Sequence, residues 1–197
     1  MRKPTYRPVE RRQWTGVKHH RLYAEIKALA ERWQARQVVI DATGVGAGLA
    51  SFLERARPGR VIPFTFTAAA KSQLGWDFLA IVDTGRWQEA VETSKREPSI
   101  LQFMKNLGHR QNEVLAELFF QQLSFCQYEI LPGPEKRMRW GVPDGTRDPA
   151  SGEPVHDDLV ISAALSAVLD GLEWSMGGPA MIIPGEDPLD EMDKEFK

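Results

Sequence analysis

The sequence predicts an α/β fold. Short, β-branched apolar runs suited to buried strands alternate with amphipathic runs of helical period, and Gly- or Pro-rich turns separate them. The length supports one domain: 197 residues, 42% of them hydrophobic and 26% charged, suffice for a substantial core.

From Lys18 the apolar positions Leu22, Ile26, Leu29 and Trp33 recur at spacings of four, three and four, which predicts a core-facing helix running to about Ala35. Gln37-Val-Val-Ile-Asp41 follows as a strand buried on both sides. Thr43-Gly-Val-Gly-Ala-Gly48 then turns the chain into a helix over 49–55, stopped by Pro58-Gly59. A strand over 60–66 comes next, and the order helix, strand, helix, strand points to parallel neighbours. A helix over 71–84 ends at Gly85, a suitable C-terminal cap. Residues 100–108 and 114–125 carry helical periodicity. Strands over 126–131 and 136–141 flank Pro132-Gly-Pro134 as a hairpin. Residues 145–154 read as loop, and His156-Asp157-Asp158 opens a last helix with Leu159, Ala163, Leu165, Leu169 and Leu172 turned inward. The expected division is a domain over 1–175 and an acidic, poorly ordered tail over 176–197.

The net charge of −2 hides a segregation. Residues 1–36 hold ten Lys or Arg against three Glu, and from Ser175 onward six acids face two lysines. A basic end permits a phosphate-backbone partner, and a solvated charged segment explains it as well. The single cysteine, Cys126, excludes an internal disulfide and a cysteine-rich zinc site; in the run Leu123-Ser-Phe-Cys it reads as a small buried side chain. No apolar stretch approaches a membrane span, no secretory signal opens the chain, and a cytoplasmic location is expected.

Asp41 ends a predicted parallel strand, at the rim where open α/β sheets bind ligands. A turn cap is the competing role. Asp157 and Asp158 start a helix; a cap explains one of them, not two adjacent like charges, whereas a bound divalent cation relieves their repulsion. Neighbouring helix positions point about 100° apart, so one of the two faces a metal squarely. The run Gly44-Val-Gly-Ala-Gly48 fails as a nucleotide loop: no Lys-Ser/Thr closes it, and its third glycine falls one position early for the dinucleotide fingerprint. Its glycines suit close approach of a second backbone, of protein or of DNA.

Val38-Val-Ile-Asp-Ala-Thr-Gly-Val-Gly-Ala-Gly48, Lys71-Ser72 before a helix, and His156-Asp-Asp-Leu-Val-Ile-Ser-Ala-Ala-Leu165 together resemble the nuclease domain of large terminase subunits of tailed phages and prophages, from about Trp14 to Trp174. The resemblance implies a ribonuclease H-like three-layer fold, a central mixed sheet flanked by helices. It also implies cleavage of concatemeric double-stranded DNA by two divalent ions, Mg²⁺ or Mn²⁺, in the bacterial host, with other terminase and portal components as partners. Asp41 would be the second acid of the metal cluster and Asp158 the last, with Asp157 an added ligand or a support to one. His156 would lie beside the metals or touch nothing, and Lys71 and Ser72 would face DNA, joined by Arg11 and Arg12 of a basic face that includes Arg2, Lys3 and Arg7.

The resemblance also has a gap. The family's first acid is an Asp on the central strand, and residues 1–40 hold no Asp. Pro4–Trp14 resembles a later, outer strand, so the domain reads as truncated at its N-terminus, with no ATPase loop before it. Glu10 and Glu25 are the available substitutes. Two functions remain open: a metal-dependent endonuclease, which requires Asp41, Asp157 and Asp158 to converge, or an impaired fragment that acts only in DNA binding or assembly. A nucleotide-dependent enzyme is a weaker third.

Overall fold

The computed structural model describes residues 3–89 and 100–173. Its elements, in chain order, are α1 (His19–Arg32), β1 (Val38–Asp41), α2 (Gly46–Ala56), β2 (Val61–Phe64), α3 (Ala68–Asp83), α4 (Ile100–Phe125), β3 (Gln127–Ile130), β4 (Met138–Gly141) and α5 (Asp158–Ala164), which continues as a 3-10 helix over Leu165–Gly171. Among the described residues no helix is long and apolar enough to cross a membrane.

β1 and β2 pair in parallel, Val38 opposite Val61 and Asp41 opposite Phe64, as the helix-strand alternation requires. Alternation along β1 divides the core. Val38 and Ile40 pack with Leu49 and Leu53 of α2 and with Leu22 and Ile26 of α1. Val39 turns the other way, to Leu74, Phe78 and Ile81 of α3 and to Ala164, Leu165 and Ala167 beyond it. The strand is therefore covered on both faces, which is why its run is uninterruptedly apolar.

The single mixed sheet that the family resemblance implies is not formed among the described residues. The strands make two separate pairs, β1–β2 parallel and β3–β4 antiparallel, the latter in the expected hairpin. The outer strand expected over 4–14 shrinks to one parallel bridge. Tyr6 N–H donates to the Arg86 carbonyl at 2.7 Å and Gln88 N–H to the Tyr6 carbonyl at 2.9 Å. Pro4 and Pro8 flank it without donors and stop the ladder on both sides.

α3 begins three residues before the expected Lys71, because the Thr67 hydroxyl caps it by accepting from Ala70 N–H at 3.0 Å. It ends as expected at Gly85, whose φ of +66° lets Arg86 N–H return to the Ile81 carbonyl at 3.0 Å. The two helical runs expected after residue 100 are one helix, α4. Leu115, Phe119 and Gln122, spaced four and three, form its buried face. The last helix tightens at Leu165, with Leu165 and Ala167 buried against the α3 cluster. Gly75 of α3 has no side chain because one would overlap the Trp140 indole; β4 lies directly on α3 there.

Candidate active site

Asp41 is exposed at the C-terminal end of β1. One oxygen, Oδ1, accepts from Thr43 N–H at 2.7 Å, and the Thr43 hydroxyl in turn accepts from Phe66 N–H at 2.8 Å, tying the turn to the chain after β2. The turn role and an outward carboxylate are thus compatible: one oxygen closes the turn while the group stays in solvent. Gly46 explains part of the glycine run, since a Cβ there would collide with the Asp41 carbonyl. The backbone it accommodates is the protein's own.

Asp157 occupies the N-cap position of α5 yet makes no capping bond. Its Oδ2 points to the end of β4 instead, where Val142 N–H approaches at 3.4 Å. It lies 2.5 Å from where a Cβ on Gly141 would stand, and Gly141 has a φ of +133°. The capping task passes to Gln122 of α4, whose Oε1 accepts from Leu159 N–H at 2.9 Å. Asp158, the first residue of α5, is exposed at the positive end of the helix. His156 is exposed and lines a polar pocket of about 240 Å³ with Asp144, Arg147 and Asp157.

Lys71 meets Asp157 across Gly141. Its Nζ lies 3.5 Å from the same ideal Cβ point and 5.5 Å above the Trp140 ring, while the Trp140 indole N–H donates to the Lys71 carbonyl at 2.7 Å. With Arg139 and Tyr128 it lines a groove of about 560 Å³. Cys126 is close enough to feel both charges. Its thiol is pushed up to about 11, by burial first and by the Asp157 carboxylate next, with Lys71 opposing, so it stays an inert thiol at neutral pH.

Other expected contacts have internal work. Ser72 is 5% exposed, and its hydroxyl accepts from Met138 N–H at 2.8 Å, pinning β4 to α3. Arg11 is engaged by Glu89 at 2.6 Å, with its guanidinium 5.1 Å above the Phe119 ring and both partners largely buried. Arg12 pairs with Glu10 at 2.7 Å and Glu25 at 3.5 Å; Arg7 donates to Gln88, and Lys3 lies 3.8 Å from Asp170. Arg2 lies outside the described residues. Glu10, a possible substitute acid, is held by Arg12, Arg32 and the Trp33 indole, and Glu25 sits on α1 beside Arg12.

The carboxylates do not assemble into a closed metal site. Among the described residues no three His, Cys, Asp or Glu side chains gather closely enough to hold an ion, and Asp41 does not join Asp157 and Asp158 in such a group. The residues present therefore do not fit two divalent ions without further ligands.

One cluster had no signature in the sequence. Asp170 of the 3-10 helix accepts from the Tyr6 hydroxyl at 2.5 Å and from Arg86 at 2.8 Å. Burial opposes its ionisation, but these bonds, Arg86 foremost, hold its carboxyl below the usual range. The Tyr6 hydroxyl is pushed up, by burial and then by the bond to Asp170. The three residues are far apart in sequence and stand in no common motif.

No curated protein and no solved structure matches the chain. Residues 2–102 match the family described as terminase RNaseH-like domain, a span that contains Asp41, Lys71 and Ser72 and stops short of Asp157 and Asp158. Over that span, just more than half of its length, the chain belongs to the terminase RNaseH-like domain family.

Proposed function

We propose that this chain is the nuclease portion of a phage or prophage DNA-packaging terminase, acting on double-stranded DNA in the bacterial cytoplasm with Mg²⁺ or Mn²⁺. The family match carries the reading. Two local features support it: an outward carboxylate at the C-terminal end of a parallel strand, Asp41, and a second pair, Asp157 and Asp158, at a helix start where neither is needed as a side-chain cap. In this reading Asp41 and Asp158 would be the principal metal ligands and Asp157 would assist them, with ligands beyond these three completing the set, and Lys71 would meet the DNA backbone. Bound divalent ions would supply charge for phosphodiester hydrolysis. The chain's own part is to fix carboxylates, through Thr43 N–H for Asp41 and through the space at Gly141 for Asp157.

The absence of a three-ligand group among the described residues favours a second reading. In it the chain binds DNA or packaging partners without cutting, or cuts only when further ligands complete the site. A plasmid-nicking assay with Mn²⁺, Mg²⁺ or EDTA separates the two. The nuclease reading expects metal-dependent nicking that falls at least ~100-fold in Asp41→Asn and in Asp158→Asn. Folded protein that nicks no DNA, or nicks it equally with either substitution, overturns it.

A further inference from the structure

Residues of β4 alternate between two faces of the hairpin. Met138 is buried and Trp140 packs on the core beside α3, which makes theirs the inner face. Arg139 and Gly141 belong to the outer face, and Glu129 of β3 stands directly opposite Arg139. At the Gly141 end of that face lie the Asp157 carboxylate and the Lys71 ammonium, 2.5 and 3.5 Å from where a Cβ on Gly141 would stand. Arg139 is two residues back, roughly 7 Å along the strand. Lys71, Glu129, Arg139 and Gly141 all line the one groove of about 560 Å³.

Arg139 is exposed, and among the described residues its guanidinium makes no ion pair. Cations near it are engaged: Arg137 with Glu135 at 2.6 Å, and Arg147 with the Gly152 carbonyl at 2.8 Å. Arg139 therefore offers its forked N–H donors to the groove, in the geometry that a phosphate accepts two at a time. Two cations set apart along one groove suit a backbone of repeated negative charge better than a single small anion.

We propose, resting on the action on DNA argued above, that Arg139 binds a phosphate neighbouring the one that Lys71 meets. The strand then lies along the outer face of the hairpin and leads to Asp157. Glu129 weakens the contact, because its negative charge lies on the same face as the phosphate.

Binding of a short DNA duplex, followed by fluorescence anisotropy over a salt series in EDTA, tests the contact apart from any metal-dependent cutting. Arg139→Gln is expected to lower the slope of log K against log salt by about 1, and the affinity at 0.1 M salt roughly 8-fold, as the loss of one phosphate contact does. Arg139→Lys should keep the slope, since the charge remains. Glu129→Gln should bind several-fold tighter, a gain that a misfolded chain cannot give. Arg137→Gln, whose arginine is already paired with Glu135, should bind as the wild-type chain does. While the wild-type chain binds DNA, any of four results overturns the proposal: an unchanged slope in Arg139→Gln, an equal loss of slope in Arg139→Lys, no gain in Glu129→Gln, or an equal loss in Arg137→Gln. A wild-type chain that binds no duplex overturns the action on DNA itself, and this contact with it.

Discussion

Asp41 and Asp157 are held by different means, and each depends on a glycine. Asp41 needs Gly46 because the helix following its turn passes so close that a Cβ would meet the Asp41 carbonyl. Asp157 needs Gly141, whose φ of +133° and missing side chain leave room for the carboxylate. Two costs are therefore expected for Gly141→Ala: backbone strain, on the order of 1–3 kcal/mol, and displacement of the Asp157 carboxylate. A double-mutant cycle in urea unfolding separates them. In an Asp157→Ala background the strain persists and the displacement vanishes, so the two substitutions should couple by roughly 0.5–3 kcal/mol. A Gly141→Ala cost that is the same in both backgrounds would mean the carboxylate does not stand over this glycine. The first glycine run was legible in the sequence as a place of close backbone approach. Gly141 was not, since nothing in Trp140-Gly-Val announces that an Asp sixteen residues later will turn away from its own helix.

At the scale of elements, periodicity was enough wherever one face meets one core. The 3.6 period located α1, and the unbroken apolar run located β1, because α1 and α2 cover one of its faces and α3 the other. It failed where a hydrogen bond decides instead. Thr67 moves the start of α3, and Pro4 and Pro8 reduce an expected strand to the Tyr6–Trp87 bridge. That bridge is reinforced by Asp170, which joins the N-terminal segment to the end of α3 and to the last helix. Tyr6→Phe should cost roughly 1.5–3 kcal/mol, the net value of a hydrogen bond to a charged group, and lower Tm by several degrees. The pH dependence has a definite sign. The Asp170 carboxyl titrates lower in the folded chain than in the unfolded one, so its stabilisation is complete above the ordinary Asp range near pH 4 and is lost as pH falls further. The Tyr6 hydroxyl titrates higher when folded, so its share holds below about pH 10 and is lost above. Urea unfolding of the wild-type chain and Asp170→Asn across pH 3–8 checks the acid limb. The gap between the two proteins should narrow toward pH 3; a constant gap would show that Asp170 ionisation contributes nothing.

For the whole molecule, the proposed DNA-binding role turns on the distribution of paired and outward cations. Counting lysines and arginines along the first 36 residues suggests a basic face, but charge read along a chain says nothing about partners brought in from elsewhere. Glu89 is 78 positions from Arg11, and Asp170 lies beyond every element that Lys3 neighbours in sequence. Folding turns much of that face into internal ion pairs. Lys71 differs, since its ammonium lies on the Trp140 ring at the edge of an open groove beside Asp157, where a phosphate can reach it. The two kinds of cation should separate cleanly in one pair of variants. Lys71→Gln should leave Tm within about 2 °C of the wild-type chain, weaken binding to duplex DNA of any sequence, and lower the slope of log K against log salt by about 1. Arg11→Gln leaves the largely buried Glu89 without its partner, which should cost roughly 2–4 kcal/mol of stability while the folded protein keeps its DNA affinity and salt slope. Thermal unfolding and fluorescence anisotropy over a salt series measure both. If Arg11→Gln instead lowers the salt slope at unchanged Tm, the Glu89 pair opens in the complex and the N-terminal segment, rather than the Lys71 groove, carries the DNA.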